Sequence, residues 1–172
     1  MLAGLLGLGV PPRVIRSAVA RLPQEQLPSR AALFPRAARD VLAELEAARL
    51  AAPVARIARA VLRRLMWAEA RAHRCAPTEV LFHQLARPQA LATLVGVAAG
   101  MAHLRPQRIF ASPLLLGRRW QDHGGRWRPA VAPAVRILTA GWPVRVSRRP
   151  VEYTTPMGAA IVTALAQPVF TA

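Results

Sequence analysis

Apolar residues recur along this chain mostly at helical spacing. From Pro53 to His73, Val54, Ile57, Val61, Leu62 and Leu65 fall on one stripe, with Arg56, Arg59 and Arg63 on the other side. That pattern predicts an amphipathic helix opened by its proline. Before it, a helix from about Arg36 to Leu50 is predicted, with Val41, Leu42 and Leu45 inward and Asp40, Glu44 and Glu46 outward. The two are expected to pair antiparallel. From Pro88 to about His103 the chain is apolar round most of a helical circumference, with Leu91, Leu94, Val95 and Met101 inside. Such a helix is expected to be buried against a sheet as well as against helices. Shorter helices are predicted at Leu2 to Leu8, and from Pro11-Pro12 to Leu22 along the face of Val14, Ile15, Ala18, Val19 and Leu22. Two more run from Pro133 to about Thr139, stopped by Gly141, and from the cap pair Thr155-Pro156 to about Ala166.

Strand signals are shorter. Arg108 to Ser112 and Val144 to Val146 read as strands, and Pro77 to Leu85 as a strand or extended link. Arg118 to Trp120 and Arg126 to Arg128 suit a hairpin around Gly124-Gly125, while Pro23 to Pro28 reads as a loop. No internal repeat is visible. The expected fold class is α+β: a helix-rich single domain with a small mixed sheet and a hairpin appendage. The apolar stripes of Pro53 to His73 and Pro88 to His103 are expected to share one core with the Arg108 to Ser112 strand.

Composition supports a packed domain and changes the picture of the surface. At 172 residues and 53% hydrophobic, the chain can bury a sizeable core. Aromatics are sparse, so Leu, Val and Ala must fill it. The formal net charge is +16, and all 24 basic residues are Arg. Arginine forks match phosphate oxygens and release counterions, which suits nucleic acid. Complete replacement of Lys by Arg alongside abundant Ala and Pro is also what a GC-rich coding sequence yields, and the arginines are spread from Arg13 to Arg149. Weak, non-specific polyanion binding is expected. Trp120 and Trp127 either stack bases beside Arg118, Arg119, Arg126 and Arg128 or pack across the hairpin.

Cys75 is the only cysteine, which excludes an internal disulfide and a cysteine-based metal knuckle. The longest apolar run, Ala90 to Ala102, is too short to span a bilayer, and the apolar opening lacks the positive stretch of a signal peptide. A cytoplasmic location and no membrane partner are expected. Side chains able to hold a metal are His73, His83, His103, His123, Cys75, Glu79 and Asp122. His73 and His103 lie near predicted helix ends, where an imidazolium meets the helix dipole. Eight dispersed acidic residues offer no paired-carboxylate or triad arrangement.

From Val61 onward the order of segments resembles the LarC family of nickel-insertion proteins, which put nickel into a pyridinium bisthiocarboxylate mononucleotide. The resemblance is carried by Arg63-Arg64-Leu65 with Ala68-Glu69-Ala70, His73, Val80-Leu81-Phe82-His83 and Leu94-Val95-Gly96. It continues through Ile109-Phe110-Ala111-Ser112-Pro113 with Leu114-Leu115-Leu116-Gly117, His123-Gly124, Pro129 to Ala134, and Thr155-Pro156-Met157-Gly158-Ala159-Ala160. Leu8-Gly9-Val10-Pro11 and Arg21-Leu22-Pro23 fit the same family. The resemblance implies an amino-terminal-domain-like unit over residues 1–172, with nickel as the metal and His83 and His123 as its contacts.

The departures shape the functional expectation. The family's His-Phe-His-Glu pattern reads here Leu81-Phe82-His83-Gln84, and later acidic positions read Gln89 and Thr93. Against the family pattern its His-rich stretch is shortened to roughly Gln24 to Phe34, and this chain is expected to lack the family's first strand with its Gly-rich turn and its carboxy-terminal nucleotide-binding domain. No nucleotide site is therefore expected in this chain. Expected is a degenerate nickel-insertion protein, impaired or accessory, working with the pyridinium mononucleotide precursor or a separately encoded carboxy-terminal domain. The alternative is a non-enzymatic Arg-rich nucleic-acid-binding module.

Overall fold

The computed structural model describes residues 1–23, 35–82, 88–121 and 125–170. The helices are α1 (Leu2–Gly7), α2 (Pro12–Val19), α3 (Ala38–Ala47), α4 (Ala52–His73), α5 (Pro88–Leu104), α6 (Pro133–Leu138) and α7 (Pro156–Leu165). Proline stands in the first turn of α2, α4, α6 and α7 and opens α5. There its fixed φ suits the helix, and the N–H it lacks would have had no partner. Thr155 caps α7: its Oγ1 accepts a hydrogen bond from the Gly158 N–H at 3.1 Å.

The core is built from helix against helix. Leu91, Leu94, Val95 and Ala98 of α5 are buried, as are Val61, Leu62 and Leu65 of α4. Around α5 lie α2 and α4, with α1 and α7 completing the cover. The expected sheet against α5 is thus replaced by helices, because strands of two or three residues present too little surface to cover a 17-residue apolar helix. Close approach of α1 depends on Gly100, where a Cβ would lie 2.7 Å from a methyl of Leu5. On the far side of α4, Arg56, Arg59 and Arg63 are exposed as the pattern predicts.

The strands are β1 (Arg36–Ala37), β2 (Leu81–Phe82), β3 (Phe110–Ala111), β4 (Leu114–Leu116), β5 (Trp120–Gln121), β6 (Trp127–Arg128), β7 (Val144–Val146) and β8 (Gln167–Pro168). Among the described residues they form four two-stranded ribbons. Antiparallel pairing joins β1 to β2, with Arg36 opposite Phe82, and β5 to β6, with Trp120 opposite Arg128. Parallel pairing joins β3 to β8, with Phe110 opposite Gln167, and β4 to β7, with Leu114 opposite Val144. The helix-rich α+β class holds, and the β5–β6 ribbon is the expected hairpin. Its pairing starts at Trp120, two residues later than the pattern suggests.

Four further expectations are corrected. Helix α3 starts at Ala38, because Arg36 and Ala37 pair with β2 and the Ala38 N–H donates to the Val80 carbonyl at 2.8 Å. Glu44 is half-buried and ion-paired with Arg36 rather than turned outward. Helix α2 stops at Val19, although Leu22 beyond it is still buried. Strand β3 does not share the core: Phe110 is 58% exposed, because the β3–β8 ribbon lies at the surface, where Gln167 of β8 is exposed too. The predicted loop beyond Pro23 lies outside the described residues. No helix among those described is long and apolar enough to cross a membrane.

Leu62 and Leu94 are both 0% exposed, on facing helices of the core. Leu62→Ala and Leu94→Ala are each expected to lower unfolding free energy in urea by about 2–5 kcal/mol. A loss within experimental error for both would show that α4 and α5 do not pack as described.

Candidate functional site

Three places in the fold correspond to the polar positions singled out from the sequence. The first is the link between β2 and α5. Phe82 is buried at its start, Leu81 beside it is 55% exposed, and α5 begins at Pro88. His83 and Gln84 fall within this link and lie outside the described residues. The second is the first turns of α5, where Gln89 and Thr93 sit one turn apart. With Ile15, Arg16 and Val19 of α2 they line a cleft of about 480 Å³. The Thr93 hydroxyl donates to the Gln89 carbonyl at 2.7 Å, which satisfies it within its own helix. Where the resemblance implies carboxylates, this cleft therefore presents an amide and a hydroxyl beside an arginine. The third is the tip between β5 and β6. Gly125 adopts φ +73°, the turn conformation glycine permits, and Asp122, His123 and Gly124 lie outside the described residues.

The other candidate donors have local work. His73 is exposed at the end of α4, 3.6 Å from Glu69 one turn back. His103 is exposed in the last turn of α5. Cys75 is half-buried against the core, which suits packing rather than ligation. Glu79 accepts a hydrogen bond from the Ala76 N–H at 3.2 Å in the 3-10 turn Pro77–Glu79. Among the described residues, no three of His, Cys, Asp and Glu are grouped so as to hold a metal ion.

Several arginines serve the scaffold. Arg64 and Arg71 lie over the Trp67 ring at 5.7 and 5.2 Å, and Arg21 donates to the Arg49 carbonyl at 3.1 Å. The stacking alternative for Trp120 and Trp127 concerns side chains outside the described set.

Several of the described residues that carry the resemblance belong to the scaffold. Val80 and Phe82 anchor β2, and Leu94 and Val95 are core. Thr155 caps α7, and Thr154 beside it, outside the resemblance, holds β4 by donating to the Leu115 carbonyl at 2.7 Å. Gly117 ends β4 at a contact no side chain fits: a Cβ there would lie 2.0 Å from the Val151 carbonyl oxygen and 2.9 Å from the Ala130 Cβ. Sequence reading missed this close approach, whose only signal is a glycine at the end of a strand.

Residues 28–171 match the family model described as nickel insertion protein. The chain belongs to the nickel insertion family. It is 32% identical over 185 residues to the pyridinium-3,5-bisthiocarboxylic acid mononucleotide nickel insertion protein of a Nocardioides species, covering 96% of this chain and 47% of that one. It is 36% identical over 129 residues to a nickel insertion protein of Roseiflexus castenholzii, covering 74% and 33%. A third, from Geobacter metallireducens, is 32% identical over 187 residues, covering 95% and 47%. The chain thus spans between a third and a half of the length of these relatives. No solved structure matches it. The comparisons give the nucleic-acid alternative no support.

If the nickel insertion scaffold depends on the Gly117 contact, Gly117→Ala should destabilise the fold by about 1–3 kcal/mol through forced displacement of Val151. Thr155→Ala, which removes one cap, should cost about 1 kcal/mol. Thermal melts of the two variants check the order; a neutral Gly117→Ala would show that Val151 does not sit against β4.

Proposed function

We propose that residues 1–172 act as one domain that assists nickel insertion in the cytosol, with nickel as cargo and a pyridinium mononucleotide of the kind in the Nocardioides relative's name as its acceptor. The family match over residues 28–171 carries this reading. His83 and His123 are the assigned nickel contacts, offering imidazole lone pairs, the donor type that suits nickel. Imidazole must be deprotonated to bind, so metal affinity falls in acid.

The donor set is reduced, and this makes the role accessory. Gln84 and Gln89 offer carbonyl oxygens and Thr93 a hydroxyl, but none brings the negative charge that offsets a dication. Arg16 lines the same cleft as Gln89 and Thr93 and raises the electrostatic cost of a second positive charge there. The domain therefore guides or hands over nickel rather than storing it, and the nucleotide is held by the remainder of the family's machinery.

Titration of the purified chain with nickel chloride in a calorimeter tests this. Binding is expected to be weaker than micromolar, about −8 kcal/mol, and to vanish in a His83→Ala, His123→Ala double variant. Because Leu81 is 55% exposed, a histidine is tolerated there. Leu81→His with Gln84→Glu is expected to tighten binding by about tenfold or more. Tight stoichiometric binding that survives the double variant would place the site elsewhere, and an unchanged affinity on restoring both donors would defeat the reduced-site reading.

A further inference from the structure

Beside β3 the surface opens into an apolar groove of about 540 Å³ between α1, α5 and α7. Leu5, Leu8, Met101, Phe110, Ile161 and Leu165 line it, and Leu8 and Phe110 are 70% and 58% exposed. The backbone of β3 is engaged on one side. The Gln167 and Val169 N–H groups donate to the Ile109 and Ala111 carbonyls at 2.8 and 3.0 Å. In a parallel ladder with that register, the N–H and C=O of Phe110 point away from β8. An outer strand edge beside an apolar groove is what an extended apolar segment completes, through main-chain hydrogen bonds and alternate side chains.

Described residues near both termini lie at this face. Met1 lines the groove, and β8 leads directly to exposed Val169 and Phe170. Sequence joined at either end starts here, and the relatives carry more than as much again beyond the part this chain matches. We propose that the groove and the Phe110 edge seat an extended apolar segment of that remainder, which adds a third strand beside β3. This goes beyond the nickel reading and rests on family membership alone.

Co-expression tests it. The part of the Nocardioides relative that this chain does not match is produced together with the 172-residue chain and purified through a tag on one of them. A one-to-one complex is expected, in which the Phe110 amide exchanges with deuterium far more slowly than in the chain alone. Phe110→Asp and Leu8→Asp, at exposed positions, should each weaken the complex by about tenfold or more. Val146→Asp, also exposed but on β7, should leave it unchanged. Absence of a complex, or a complex indifferent to Phe110→Asp and Leu8→Asp, overturns the proposal. So does self-association of the chain that Phe110→Asp abolishes, which assigns the face to a second copy. Nickel calorimetry on the same variants reads the nickel proposal separately.

Discussion

Helix α5 is apolar almost all the way round, and the rest of the structure is arranged to cover it. An amphipathic helix needs one buried face; α5 offers water none except over its first two turns and from Met101 on. Leu91, Leu94, Val95 and Ala98 share one face, and Gly96, Val97, Ala99 and Gly100 on the other sides are buried as well. The chain meets this demand with α4 on one side, α2 and α1 on another, and α7 on a third. Gly100 allows α1 to come close enough. Sheet structure is left to short two-stranded ribbons, three of which join segments far apart in sequence, and among the described strand side chains only Phe82 of β2 is fully buried.

This division explains what could be read from residues alone. Long helices were legible because their apolar spacing repeats over several turns and proline marks their starts. Val61, Leu62 and Leu65 of α4 and Leu91, Leu94 and Val95 of α5 are buried as the pattern predicts, while Val54, Ile57 and Met101 are only partly buried. Two-residue strands have no period to detect, so β1 and β8 left no signal. The pairing of β4 with β7 joins Leu114 to Val144, a contact no local pattern encodes. Glu44 shows the same limit: its spacing places it outward, yet Arg36, positioned by β1, draws it into a half-buried ion pair.

The candidate site divides in the same way. Its scaffold is described in detail: Phe82 and α5 bracket the link that contains His83, and β5 and β6 bracket the turn that contains His123. The residue identities at Leu81, Gln84, Gln89 and Thr93 were legible as departures from a family pattern. What they do together was not, since it depends on Arg16 arriving from α2 beside Gln89 and Thr93. Packing residues that match the family pattern, such as Gly117 and Thr155, sit in contacts that suit them, and the described positions where the resemblance implies carboxylates, Gln89 and Thr93, are uncharged.

On the proposed function, the nickel insertion scaffold offers nickel two imidazoles, those of His83 and His123, and little else. Nickel K-edge X-ray absorption on the chain mixed with one equivalent of nickel tests this most directly, because it reports ligand type at the metal. The account predicts outer-shell scattering from two imidazoles within a shell of light oxygen and nitrogen neighbours, with no nickel–sulfur distance. A sulfur shell, which only Cys75 or a methionine could supply, or imidazole scattering that persists when His83 and His123 are both replaced, would contradict it.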